Sequence, residues 1–145
     1  MNMFSTETLN TVLENTATEY TIKTYPKFDK ELKKLTKKCS TLKEDFERLK
    51  KVLLLDLERG NHRLTQDRYN QIPGLGPKVN FPVFKIKKFR CKSIPEGNRS
   101  RFRFIFILSR KHKTIYFTEC YYKSKNEIEN KKRIQDICSN HERYF

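Results

Sequence analysis

Polar and apolar positions change period several times along the chain, and each change marks an element. Glu19 to Tyr25 (EYTIKTY) alternates β-branched and aromatic residues with polar ones, which predicts a strand that Pro26 ends. From Phe28 the spacing becomes helical: Phe28, Leu32, Leu35, Cys39, Leu42, Phe46, Leu49 and Leu53 recur at steps of three and four. Thr41 followed three residues later by Glu44 has the form of a capping box, so the stripe reads as a hairpin of two helices, about 28–38 and 41–58. One long helix is the alternative reading of the same stripe. Gly60 and Asn61 close the second helix.

Residues 60–80 read as loop, with Ile72-Pro73-Gly74-Leu75-Gly76-Pro77 holding most of the chain's turn formers. Three strands follow, Phe81–Phe89, Phe102–Ser109 and Thr114–Tyr122, joined by short turns at Pro95–Asn98 and Arg110–Lys113. In the second of them Phe102, Phe104, Phe106 and Leu108 share one face, opposite Arg103, Ile105 and Ile107. Residues 126–137 have helical character. The order predicts an α+β domain over residues 20–130: a small antiparallel twisted sheet of about four strands with the helical hairpin packed on one face. Residues 1–19 read as an N-terminal arm and 131–145 as a C-terminal tail. On this scheme the uncovered sheet face is a basic floor carrying Lys85, Lys87 and Arg103.

Charge sharpens the picture. The net charge is +15, and the stretch from Lys78 to Lys113 holds twelve Lys or Arg against one acid, Glu96. Eleven of the fifteen surplus charges thus belong to 36 residues, the footprint of a polyanion binder. A merely soluble surface does not require one sign on one sheet. Cys39, Cys91, Cys120 and Cys138 are far apart with no CxxC pair, which predicts reduced thiols, and His62, His112 and His141 are scattered, so no metal site is expected. The first twenty residues lack the basic start and apolar centre of a signal peptide, and no apolar run approaches the roughly 20 residues of a membrane span. A cytoplasmic protein without a membrane partner is expected.

Several segments together resemble the RelE/ParE superfamily of toxins from toxin–antitoxin pairs. They are FDKELKKLTKK (28–38), LKEDFERL (42–49), IPGLG (72–76), VFKIKKFRCKSIPEGNRSRFRFIFIL (83–108) and ECYYKSKNEI (119–128). The likeness lies in order and pattern over roughly residues 20–130. In the ribonuclease branch it implies cleavage of messenger RNA on the ribosome, without metal or cofactor, and a cognate antitoxin that is acidic and partly disordered. In the other branch similar folds act on DNA gyrase. A catalytically inactive RNA-binding module is a third reading.

Metal-free cleavage requires a base for the ribose 2′-hydroxyl, a cation for the phosphorane and an acid for the leaving 5′-oxygen. The resemblance implies Arg103 as the phosphate-holding arginine, with Phe106 standing where the family pattern has tyrosine. It aligns Lys85 and Lys87 with paired strand lysines, and Tyr122 and Lys123 with the base-stacking and proton-donating edge. Lys88, Arg90, Lys92, Arg99, Arg101 and Lys113 complete the expected nucleic-acid contacts. No histidine lies at the C-terminal edge, where some members use one for proton transfer.

Overall fold

The structure is a computed structural model and describes residues 19–95, 101–125 and 127–145. The expected arm up to residue 18, the turn after Pro95 and Arg99 within it lie outside the described residues.

The chain is α+β. Strand β1 (Thr21–Thr24) leads into α1 (Pro26–Leu35), with Pro26 in the first turn, where a missing N–H costs nothing. Helix α2 (Leu42–Arg59) folds back against it, so the stripe is two helices. The capping box does not form: Thr41 donates its hydroxyl to Asp45 Oδ2 at 2.7 Å and accepts the Ser93 N–H at 3.3 Å, and it holds no N–H of its own helix. Gly60 ends α2 where the chain closes tightly on itself; a Cβ there would lie 2.1 Å from the Arg63 carbonyl oxygen.

Strands β2 (Tyr69–Gln71), β3 (Val83–Ile86), β4 (Phe102–Ser109) and β5 (Thr114–Tyr122) complete a five-stranded sheet in the order β1-β5-β4-β3-β2. The expected count of about four rises to five because β2 lies in the stretch read as loop. The sheet is mixed rather than antiparallel, since β1 runs parallel to β5. Helices α3 (Lys131–Ser139) and α4 (His141–Tyr144) end the chain.

Both faces of the sheet are packed. Phe84, Ile86, Phe104, Phe106, Leu108, Ile115 and Phe117 meet Phe28, Leu32, Phe46, Leu49 and Leu53 of α1 and α2. On the second face Val83, Ile105, Ile107 and Tyr116 meet Ile134, Ile137 and Cys138 of α3, with Ile72 and Leu75. Residues 131–145 are therefore not a loose tail, and the open basic floor expected on this face is reduced to its end nearest Arg103. The strip of apolar side chains at steps of three and four in α3 has to be buried, and the second face is where it goes.

Cys39 and Cys91 form a disulfide, contrary to the expectation of reduced thiols; Cys120 and Cys138 are free and buried. The bond ties the α1–α2 connection to the segment after β3. Beside it the buried Asp45 carboxylate accepts from Arg48 at 2.9 Å, Thr41 at 2.7 Å and the Lys92 backbone N–H at 3.0 Å. Among the described residues no helix is long and apolar enough to cross a membrane.

Candidate functional site

The site depends on one irregularity in β5. Ile105 pairs with Glu119, but Phe106 pairs with Phe117, so Thr118 is an extra residue. Such a bulge shifts the alternation of everything beyond it. Ile115 and Phe117 face the helices before it, and Cys120 and Tyr122 face them after it. Glu119 and Tyr121 are thereby turned to the second face, with Arg103 directly across from Tyr121. The loose carbonyls of the bulge are satisfied: Thr118 Oγ1 donates to the Ile105 oxygen at 3.4 Å, and Arg133 donates to the Thr118 oxygen at 3.0 Å.

Lys85, Arg103 and Tyr121 thus lie on three adjacent strands, on one face and at one end of the sheet. Lys85 is only 15% exposed and its Nζ meets Glu129 Oε2 at 2.6 Å, with Glu129 11% exposed. Burial works against the charged form of Glu129, yet Lys85 and Lys131 outweigh it and hold the carboxyl below its usual range. The Tyr121 hydroxyl is buried beside these two groups, and its proton finds no acceptor among the described residues. Burial raises the Tyr121 phenol, and Lys85 pulls the other way.

Arg103 is half-buried and donates to the Phe102 carbonyl at 3.1 Å and the Lys87 carbonyl at 3.5 Å. Lys87 is exposed just past β3. The β4–β5 ladder runs on through a bond from the Lys123 N–H to the Arg101 oxygen at 2.8 Å. By strand alternation Arg101 and Lys123 extend the same face toward solvent.

The segment leading into α3 crosses this face under firm control. Glu119 Oε1 accepts the Asn130 backbone N–H at 2.8 Å, and the Asn130 side chain caps α3 through the Arg133 N–H at 3.0 Å. Burial pushes the Glu119 carboxyl up, against the opposing pull of the Asn130 bond and Arg133. Arg133 also pairs with Glu31 of α1 at 2.9 Å, so α1, β5 and α3 share one network.

The other expected residues are not brought here. Tyr122 points to the helix layer, its ring 5.2 Å from Phe102 and covered by the Lys38 ammonium at 4.6 Å. Tyr121 instead shares the face of Lys85 and Arg103. Lys88 and Arg90 line a cleft of about 330 Å³ on the α2 side, with Arg48, Arg68, Asp45 and Asp67, and Lys92 sits beyond them at Asp45. Lys113 lies at the far end of β4, roughly 20 Å from Arg103 at about 3.3 Å per residue, paired with Glu19 at 3.0 Å. Glu129 and Tyr121 are the residues that sequence reasoning missed; the adjacent tyrosines were a signal, but their facing was not readable.

Among the described residues, Cys39, Asp45 and Cys91 are the group with metal-ligand spacing, and its cysteines are joined to each other. No family model matches the chain, and neither a curated protein nor a solved structure matches it.

Proposed function

We propose that this chain is a toxin of the RelE kind that binds messenger RNA on the ribosome and cleaves it without metal. The observation that carries the reading is the grouping of Lys85, Arg103 and Tyr121 at one end of a sheet face, the two cations coming from the segment that holds eleven of the surplus positive charges. A guanidinium beside a strand edge suits a phosphodiester, because its planar fork holds two oxygens at once. In the reaction the ribose 2′-oxygen loses its proton and attacks phosphorus. The 5′-oxygen leaves with a proton, and a cyclic phosphate remains. Arg103 is assigned the charge of the phosphorane. Lys85, already ion-paired with Glu129, is assigned to charge stabilisation rather than to the base. An acidic, partly disordered antitoxin suits a partner of +15 by charge alone.

The Lys85–Glu129 pair also favours a second reading, an RNA-binding protein that does not cut, since the pair occupies a lysine expected to do chemistry. Inducing the full chain in cells and mapping messenger-RNA ends separates the two. Growth arrest with cuts in translated messages, both lost in Arg103→Ala and both kept in Lys113→Ala, is the expected result. RNA binding without cuts leaves the second reading. Arrest without cuts or RNA binding points to gyrase, and no arrest with no RNA binding removes the proposal.

A further inference from the structure

We infer that Lys85 and Tyr121 form a phosphate subsite that the chain keeps filled with its own carboxylate, Glu129, so that a phosphate enters by exchange. The inference rests on reading this face as phosphate-binding.

Three observations converge. Lys85 and Glu129 are nearly buried and 2.6 Å apart. A pair so placed adds little to stability, because the cost of removing both charges from water offsets their attraction. Stability alone therefore does not account for the pair. The Tyr121 hydroxyl is sealed beside the pair with its proton unused among the described residues. A buried O–H without an acceptor is costly, and a ligand with several acceptor oxygens removes that cost. Glu129 meets Lys85 through Oε2 and leaves the tyrosine proton without an acceptor, whereas a phosphate group can turn separate non-bridging oxygens to Lys85 and to the tyrosine proton. Finally, Glu129 lies in a short non-helical stretch held at Glu127 by Ser124 and Lys125 and at Asn130 by Glu119, with neighbouring Ile128 63% exposed. The carboxylate can therefore move without unfolding α3, whose cap lies beyond it.

The shared chemistry is a phosphate oxyanion, from an RNA phosphodiester or from free phosphate. The test uses the full chain and its Glu129→Gln, Glu129→Asp and Lys85→Met/Glu129→Gln variants, with Asp136→Asn as an exposed-acid control. Inorganic phosphate is titrated by NMR at the Lys85 and Tyr121 signals, and a labelled single-stranded RNA by fluorescence anisotropy at fixed salt. Glu129→Gln is expected to bind phosphate about tenfold more tightly, the scale of one charge-assisted hydrogen bond released from competition. Removing Lys85 abolishes the gain, and Asp136→Asn does not reproduce it. Glu129→Asp, which keeps the charge but draws it back by one methylene, falls between wild type and Gln and serves if the Gln variant does not fold. Unchanged or weaker phosphate binding in both Glu129 variants overturns the inference, as does an equal gain in the control. A gain for phosphate with none for RNA upholds the subsite and removes the nucleic-acid reading of this face.

Discussion

Reducing the Cys39–Cys91 bond is expected to cost the protein a large part of its stability. The two residues are 52 apart in sequence, so the bond closes a long loop in the unfolded chain. On the chain-entropy relation such a loop corresponds to about 4 kcal/mol at 25 °C. Domains of this size hold about 5–15 kcal/mol in all, so the loss is between a quarter and most of the total. At about 2–4 °C per kcal/mol the midpoint of thermal unfolding falls by about 8–16 °C. The native contacts around the bond survive reduction, because Asp45 still accepts from Arg48, Thr41 and the Lys92 N–H; the effect therefore arises in the unfolded state. Urea unfolding followed by circular dichroism, with and without a dithiol reductant, measures it, and Cys91→Ser should match the reduced protein. The denaturant slope should rise on reduction, since a chain freed of its cross-link exposes more surface. A stability difference below about 1 kcal/mol would refute the reasoning and mean that these cysteines do not hold the loop closed in solution.

Arg133→Met removes the partner of Glu31 and the donor to the Thr118 carbonyl, and should destabilise the fold by about 2 kcal/mol in the same urea assay. Glu119 has a folded-state carboxyl raised by burial, so its contribution is fully present below the unfolded carboxylate range and is lost as pH rises through the raised value. Glu119→Gln, whose amide oxygen still accepts the Asn130 N–H, should flatten that part of the stability–pH curve; an unchanged curve would place the Glu119 carboxyl at its ordinary value. Arg103→Ala should lower RNA affinity and reduce the slope of log affinity against log salt by about 0.7, the share of one single-strand phosphate contact, whereas Lys113→Ala should leave both unchanged. Equal losses in the two variants would mean that the polyanion is not read at the Arg103 end.

Strong alternation made β4 legible, bounds and faces alike, because Phe102, Phe104, Phe106 and Leu108 leave one choice of core side. The bounds of β5 were as plain, but its faces were not. Thr118 inserts one residue opposite Ile105 and Phe106, and nothing in TIYFTECYY marks where the alternation slips. The resemblance picks Tyr122, while the bulge turns Tyr121 to the face of Arg103. Strand β2 is three residues long among turn formers, too short to show a period. The Lys85–Glu129 pair joins residues 44 positions apart across a sheet face, a tertiary fact without a local sign. The covering of that face by α3 was half visible: Ile134 and Ile137 mark an apolar side, but not what it rests on.

The parallel pairing of β1 with β5 also bears on the order in which the protein assembles. Thr21 must find Thr114 across most of the chain, whereas β4 and β5 meet through a turn of four residues. Closing the longer loop costs more entropy before any contact compensates it. The β3–β4–β5 meander, with its phenylalanines against α1 and α2, is therefore expected to form in the rate-limiting step, with β1 docking afterwards. Conservative truncations in β1, such as Ile22→Val, should speed unfolding and leave the refolding rate nearly unchanged, while Ile107→Val in β4 should slow refolding. The end of the sheet that carries Arg103 and Tyr121 would then take shape early, before the edge strand on its far side is in place.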